Sequence, residues 1–265
     1  MKIGIIGAAG RMGRMLLAAV DAADGAVIAG GVEAPGHADL GTDLGKLAGL
    51  DGVGVTLTSD AEALFQAVDA VIDFTVPVVT TLNAHLAKKF GTVLVIGTTG
   101  MDEAQQATIV TASISAAIVQ AANYSVGVNV LLGLVEQAAQ ILPEAYDIEI
   151  LEMHHHHKID APSGTALALG HAAAAGRNVN LDEVADKVRD GIIGPRKSGD
   201  IGFATLRGGD VVGDHTVMFA GPGERVEITH KAASREVFAN GAVRAALWGI
   251  DQKPGLYSMK NVLGF

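Results

Sequence analysis

The sequence predicts an α/β protein in two parts, a parallel sheet first and then an α+β domain with an open mixed sheet. In the first half, short and wholly apolar runs alternate with helix-like segments, as in parallel sheets covered on both faces. After about residue 126 the strands alternate apolar and polar residues, as in a half-exposed antiparallel sheet. We therefore expect domains at 1–125 and 126–234, with 235–265 packing back on the first.

The first-half elements follow from this alternation. Five apolar runs predict strands at Lys2–Ile6, Ala26–Val32, Ala70–Phe74, Thr92–Ile96 and Ala117–Ala121. The segments between them predict helices near Arg14–Ala23, Asp60–Ala67, Val78–Lys89 and Asp102–Ser115.

The second-half elements begin with a long helix near Val128–Leu142. Strands are expected at Asp147–Glu152, Ile201–Arg207, His215–Ala220 and Arg225–Lys231, and further helices from Ala161 to about Ala175 and at Ser234–Ile250. Ser163 is the expected N-cap of the helix that follows Pro162.

Composition narrows the class of protein. A formal net charge of −10 argues against nucleic acid as the main partner. No apolar run is long enough for a membrane span, since even Val126–Leu142 contains Asn129 and Glu136. The chain has no cysteine, which excludes disulfides and thiol catalysis, and its N-terminus lacks a signal-peptide pattern. We expect a cytoplasmic protein that binds small ligands.

A glycine motif follows the first strand, with the spacing G-x-x-G-x-x-G at Gly7, Gly10 and Gly13. Gly7 permits a tight turn, Gly10 lets a pyrophosphate approach the backbone, and Gly13 allows the helix to pack closely on the strand. Glu33, at the end of the second strand, is placed to bind a ribose hydroxyl. These features favour a Rossmann-like dinucleotide site over the alternative, a plain strand–helix turn.

The choice between NADH and NADPH depends on charges near Glu33. A 2′-phosphate would be repelled by this carboxylate and usually needs an arginine beside it, but position 34 is alanine. Arg11 and Arg14 are the nearby basic candidates. The sequence therefore favours NADH, with Arg11 as the candidate partner for NADPH.

Two later strand ends also carry small polar residues, Gly97-Thr98-Thr99-Gly100 and Ala121-Ala122-Asn123-Tyr124-Ser125. Ligands of doubly wound sheets bind at the carboxyl ends of the strands, so these turns are candidates for the nicotinamide end of the cofactor. Ordinary turn chemistry explains the same residues equally well.

The densest cluster of ionisable side chains is His154–His157 with Lys158, followed by the turn Pro162–Thr165. A metal site is disfavoured because adjacent histidines point apart and no cysteine is available. A polar surface loop is the second interpretation. The third is a site for an anionic substrate. Lys158 would attract one carboxylate. The amides of Ser163, Gly164 and Thr165 at the helix start would bind another, and a histidine would donate a proton.

The chain resembles the 4-hydroxy-tetrahydrodipicolinate reductase family. Glu152–Ala166 is similar to the family signature E-x-H-H-x-x-K-x-D-x-P-S-G-T-A. The resemblance covers nearly the whole chain. It includes Gly7–Gly13, Asp73–Thr75, Gly97–Gly100, Asn123–Asn129, Ile201–Phe203, Ile228–Ala232 and Phe238–Ala242.

The resemblance implies a reaction and roles. Hydride passes from NAD(P)H to C4 of a cyclic dicarboxylate after loss of water, in lysine biosynthesis through diaminopimelate. His154 is implied as proton donor or acceptor, Lys158 as the second proton donor, and His155, Gly164 and Thr165 as carboxylate ligands. A homotetramer formed through the second domain is also implied. The implied cofactor contacts are Gly7, Ala8, Ala9, Gly10, Arg11, Met12, Glu33, Gly97, Thr98, Thr99, Ala121, Ala122, Asn123 and Tyr124.

Two other functions share the glycine motif. One is a regulatory protein that senses nicotinamide nucleotides without turnover, which would not need the cluster from Lys158 to Thr165. The other is a different Rossmann oxidoreductase, such as an amino-acid or semialdehyde dehydrogenase. The absence of cysteine disfavours the semialdehyde type, which forms a thioester.

Overall fold

A computed structural model describes residues 1–265. The chain folds into two compact units. The first unit consists of Met1–Val126 and Glu236–Phe265, and the second of Gly127–Arg235.

Twelve strands and ten helices are numbered along the chain. The strands are β1 Lys2–Ile6, β2 Val27–Val32, β3 Leu57–Thr58, β4 Ala70–Asp73, β5 Val93–Ile96, β6 Ala117–Gln120, β7 Asp147–His154, β8 Ala185–Asp186, β9 Ile201–Arg207, β10 Gly213–Gly221, β11 Glu224–Ala232 and β12 Gly255–Tyr257. The helices are α1 Arg11–Asp21, α2 Leu44–Leu47, α3 Ala61–Ala67, α4 Pro77–Phe90, α5 Glu103–Ala112, α6 Val126–Ile141, α7 Gly164–Arg177, α8 Leu181–Val184, α9 Glu236–Gly249 and α10 Met259–Leu263. None of these helices has both the length and the apolar composition of a membrane span.

The first unit is built on a seven-stranded sheet in the order β12-β6-β5-β4-β1-β2-β3, with every pair parallel. The predicted Rossmann-like parallel sheet is confirmed. The edge strands β3 and β12 were not predicted, because two or three residues are too few to show a periodic pattern.

Helices cover both faces of this sheet. On one face α1, α2, α9 and α10 pack against alternate strand residues such as Ile3, Ile5 and Ile72. On the other face α3, α4 and α5 pack against Val71 and Leu94. Burial on both sides explains why the strands are apolar over most of their length.

The second unit contains a mixed five-stranded sheet in the order β11-β10-β7-β9-β8. Strand β10 is antiparallel to β7 and β11, whereas β7, β9 and β8 are parallel to one another. Helices α6 and α7 pack on one face, where Leu131 and Leu169 meet Ile150, Val217 and Phe219. The predicted mixed sheet is confirmed.

The central strand β7 extends two residues beyond the expected end at Glu152. The strand continues because β9 pairs with it as far as His154, opposite Arg207. Its side chains alternate, with Ile148, Ile150, Glu152 and His154 on the buried face. The extension therefore places His154 on the same covered face as Glu152. The predicted helices differ from the observed ones by at most three residues at either end.

Helix α9 can lie against the turn before α6 only because residue 241 is glycine. A Cβ at Gly241 would stand 1.7 Å from the carbonyl oxygen of Tyr124. The Tyr124 side chain is 1% exposed, and its hydroxyl lies 2.8 Å from the carbonyl oxygens of Ile96 and Val119. The turn is thus fixed and cannot move aside.

Gly241→Ala is expected to lower the free energy of unfolding by about 1–3 kcal/mol, because the added methyl forces α9 away from a fixed backbone. Thermal or urea unfolding measures the change. The exposed neighbour Asn240 provides the control, since Asn240→Ala changes the same helix without entering the core. Equal stability of the two variants would contradict the packing argument.

Candidate active site

The turn after β1 is fixed to the end of β2. Gly7 has a φ of 69°, and the amides of Gly7 and Ala8 both donate to the carbonyl of Val32, at 2.8 and 3.1 Å. Gly10 is the N-cap of α1 and supplies no capping side chain. The first amides of α1 are therefore available to an external acceptor.

Gly13 allows close packing in this turn. A Cβ at Gly13 would stand 2.1 Å from the carbonyl oxygen of Gly7 and 2.6 Å from the Cα of Ala8. Any other residue would push α1 away from β1. The turn has the tight backbone geometry that a pyrophosphate site requires.

Glu33 lies beside the same turn at the end of β2. Its carboxylate accepts hydrogen bonds from the amide of Ala9 at 3.3 Å and from the amide of Ala34 at 3.1 Å. The carboxylate thus faces the glycine turn, where a ribose hydroxyl would meet it.

The two arginines considered for NADPH differ in their contacts. Arg14 donates to the carbonyl of Ala9 at 2.9 Å and forms an ion pair with Asp39 at 3.1 Å. Arg11 is exposed at the start of α1 and forms no ion pair. The structure leaves Arg11 as the basic side chain available at this turn.

The turns after β5 and β6 share one cavity of about 360 Å³. Among the residues that line it are Thr98, Thr99, Gln106, Gln120, Ala121 and Ala122. The two predicted turns are therefore brought together. Tyr124 differs, because its side chain is buried in the core and burial raises the pKa of its phenol. A cofactor could meet Tyr124 only through its backbone.

A buried polar network at the ends of β4 and β5 includes Thr98, one of the predicted cofactor contacts, and Asp73, which was not predicted as a site residue. The carboxylate of Asp73 accepts hydrogen bonds from Asn83 Nδ2 at 2.8 Å and Thr75 Oγ1 at 2.6 Å. Thr98 Oγ1 accepts from the Thr75 amide at 3.1 Å and from Thr80 Oγ1 at 2.8 Å. These bonds fix the backbone from which Thr99 projects.

The histidine cluster of the second unit is organised around Glu152, which is 1% exposed. Its Oε2 lies 2.6 Å from His154 Nδ1. Arg207 donates to both carboxylate oxygens, at 2.7 and 2.9 Å, and the Ser163 amide donates at 2.9 Å. Burial alone would raise the pKa of Glu152, but these hydrogen bonds hold it below its usual value.

His154 is 8% exposed, with its ring between Glu152 and His215. Its Nε2 forms no hydrogen bond and lies against the backbone of Gly213, where a Cβ would be 3.0 Å away. One ring nitrogen is thus held by a carboxylate, and the other remains open to a ligand.

The start of α7 contradicts one expectation. The Ser163 amide is used by Glu152, and its hydroxyl caps the amide of Ala166 at 3.1 Å. Ser163 is 2% exposed and has no amide to offer a substrate. Gly164 differs, because no atom lies within 4 Å of the position that its Cβ would occupy. The accessible residue at the helix start is therefore Gly164.

The remaining members of the cluster lie in the loop after β7. Lys158 forms an ion pair with Asp160 at 2.7 Å, with 19% of the lysine side chain exposed. His155 is half-buried, its Nε2 lies 3.4 Å from Arg235, and burial together with this arginine lowers its pKa. His156 and His157 are exposed, with ring centroids 3.8 Å apart. The four histidines thus occupy three different environments.

His215 of β10 is the buried histidine that sequence reasoning missed. It is 3% exposed, its Nε2 lies 3.1 Å from Ser163 Oγ, and its Nδ1 has no partner. Burial, followed by the proximity of His154, lowers its pKa to about 4. His215 is therefore neutral near pH 7.

Comparison with known proteins identifies the family. The family model described as "Dihydrodipicolinate reductase, N-terminus" matches residues 1–124, and the model for the C-terminus matches residues 127–263. The chain belongs to the dihydrodipicolinate reductase family. The resemblance inferred from Glu152–Ala166 is thereby confirmed.

Curated relatives in this family match over their whole length. The 4-hydroxy-tetrahydrodipicolinate reductase of Rhodopseudomonas palustris strain BisB18 is 55% identical over 264 residues, covering 100% of this chain and 97% of the relative. The reductases of Bradyrhizobium diazoefficiens and Magnetococcus marinus are 52% and 51% identical, covering 100% of this chain and 97% and 99% of theirs.

A solved structure in the family shares the fold. The dipicolinate-bound dihydrodipicolinate reductase from Paenisporosarcina superposes with a TM-score of 0.80 at 22% identity, covering 98% of each chain. A probable dehydrogenase from Thermotoga maritima superposes less closely, with a TM-score of 0.63 at 12% identity, covering 99% of this chain and 92% of that one.

The low pKa of His215 gives the stability of this family member a defined pH dependence. The folded state disfavours protonation, whereas in the unfolded chain the same imidazole has its ordinary pKa of 6.5. The contribution is therefore present above pH 6.5 and decreases as the pH falls toward 4, by about 3 kcal/mol in total.

Unfolding measured at pH 7 and pH 5 tests this expectation, with His215→Asn expected to flatten the dependence. The exposed His171 supplies the control, since His171→Gln should leave the dependence unchanged. Equal slopes for wild type and His215→Asn would show that this histidine is not the cause.

Proposed function

We propose that the chain catalyses the NAD(P)H-dependent reduction of 4-hydroxy-tetrahydrodipicolinate to tetrahydrodipicolinate in the diaminopimelate pathway to lysine. The observation that carries this proposal is the environment of His154. Its Nδ1 is bonded to a buried carboxylate, and its Nε2 is unbonded. Full-length relatives at up to 55% identity bear the reductase name, which supports the same reaction.

The first unit would hold the cofactor at the glycine turn. The amides at the start of α1 and the carboxylate of Glu33 suit a pyrophosphate and a ribose, and Gly13 leaves the room they need. The turns after β5 and β6, which line one cavity, would bind the nicotinamide end. When bound, the cofactor supplies the hydride.

The second unit would hold the dicarboxylate. Lys158 provides a positive charge, and Gly164 and Thr165 provide the amides of a helix start. The open space above Gly164 supports this role. His155, beside Arg235, adds a further hydrogen-bonding group for a carboxylate.

The reduction takes up one proton along with the hydride. His154 would release this proton from Nε2 while Nδ1–H remains bonded to Glu152. Lys158 would be the second proton donor, for the hydroxyl group that leaves as water, and the proton that the ring loses in this elimination balances the one donated. The ion pair of Lys158 with Asp160 limits the movement of the ammonium group.

His154→Gln is expected to lower kcat by about 100- to 1,000-fold, because the amide cannot transfer a proton. The dissociation constant for NADH should stay within about twofold, since this residue takes no part in the proposed nucleotide site. Steady-state kinetics with freshly generated substrate and fluorescence titration with NADH measure the two quantities. His157→Gln, in the exposed part of the same run, is the control. Near-full turnover of His154→Gln would remove the catalytic assignment.

The cofactor preference follows from Glu33 and the absence of a basic residue at Ala34. We expect kcat/KM to be higher for NADH than for NADPH, because the carboxylate repels a 2′-phosphate. Arg11→Ala should weaken NADPH use more than NADH use, because Arg11 is the available cation at this turn. Comparable kcat/KM values for the two cofactors would overturn the preference.

Association into a homotetramer through the second unit and a cytoplasmic location remain predictions. The edge strand β11 supports the first of these, because it presents an exposed face that includes Val226.

A further inference from the structure

Glu152 carries a full negative charge at a position almost sealed from water, with 1% of its surface exposed. A carboxylate in such a place needs partners on every side. Its hydrogen-bond partners are His154 on β7 itself, Arg207 and Thr205 on β9, and Ser163 at the start of α7. Together these hydrogen bonds hold the carboxylate in one orientation.

This orientation sets the proton positions on His154. A carboxylate only accepts hydrogen bonds, so Nδ1, which lies 2.6 Å away, must carry a hydrogen. The proton that His154 exchanges is therefore the one on Nε2. Glu152 thus defines which ring nitrogen can take part in the reaction.

Arg207 connects this carboxylate to the loop that contains the other proposed proton donor. The nitrogen Nη2 that bonds Glu152 also donates to the carbonyl oxygen of Asp160 at 2.7 Å. The side chain of Asp160 holds Lys158 at 2.7 Å. One guanidinium group therefore fixes a strand residue and a loop residue together.

We propose that Glu152 and Arg207 form a positioning pair that orients both His154 and Lys158 for proton transfer. The proposal rests on the proposed reductase function for its kinetic readout. The pair touches neither proposed ligand and acts through the residues it holds.

The groups that face His154 are few. Glu152 lies on its own strand, Arg207 on β9 and His215 on β10, with His155 and Lys158 in the loop that follows. Glu152 is the negatively charged member of this set, and Arg207 balances its charge. Removing that negative charge leaves only neutral or cationic neighbours around the His154 ring.

The central experiment uses Glu152→Gln in the full-length protein. The amide can present an NH₂ group to Nδ1, which favours the opposite tautomer of His154. We expect kcat to fall about 100-fold with KM within about threefold. In protein labelled with ¹⁵N-histidine, the Nδ1–H signal of His154 should be lost.

The second unit contains a matched control pair. Arg189 donates to both oxygens of Glu149, each at 2.8 Å, on the same strand β7 but on its opposite face. Glu149→Gln should therefore leave kcat, KM and the His154 tautomer unchanged. This control separates loss of a strand ion pair from loss of positioning.

Arg207→Lys provides an independent test that does not depend on Glu152→Gln folding. A lysine keeps the charge, but its single nitrogen cannot reproduce the two parallel bonds to the carboxylate together with the bond to the Asp160 carbonyl. We expect kcat to fall about 10-fold while the Nδ1–H tautomer of His154 is retained.

Wild-type turnover in Arg207→Lys, or an unchanged His154 tautomer in Glu152→Gln, would overturn the proposal. The tautomer is measured without substrate. If wild type reduces no hydroxy-tetrahydrodipicolinate but the tautomer changes as expected, the proposed function fails and the positioning of His154 stands.

Discussion

The burial of the Glu152 carboxylate is the constraint on which the second unit depends. A buried charge without partners costs several kcal/mol, so this position is tolerated only while His154, Arg207 and Ser163 surround it. Those partners belong to a strand end, a neighbouring strand and a helix start. Satisfying one carboxylate therefore assembles the three structural elements that form the candidate site.

In the first unit, backbone amides rather than charged side chains form most of the proposed ligand site. Its sheet is covered by apolar clusters on both faces, and Asp73 and Gln120 stand at the carboxyl ends of β4 and β6. Glycines at positions 7 and 13 bring a helix start close to the strand, so that amides rather than cations would meet the pyrophosphate at the proposed cofactor site. This suits a chain whose net charge is −10, because the anion site needs little positive charge from side chains.

The features that could be predicted from the sequence are those encoded within short segments of the chain. The alternation of strands and helices, the spacing of three glycines and the run from Glu152 to Ala166 each lie within a short segment, so both sheets and the family could be inferred. Arg207 and His215 could not, because Arg207 lies 55 residues from Glu152 and His215 lies 52 residues from Ser163. Their roles depend on strand register. Ser163 was assigned to substrate because a helix-start amide gives no sign in the sequence that a buried carboxylate already uses it.

Strand register couples the apolar core of this sheet to the charged groups of the site. A slip of β9 by one residue would place Leu206 opposite His154 and turn the guanidinium of Arg207 to the other face. The same slip would turn Ile201 and Phe203 out of the core, so the core and the carboxylate would lose their partners together. Refolding is therefore expected to recover the packing of the second unit and the arrangement of the site in a single step.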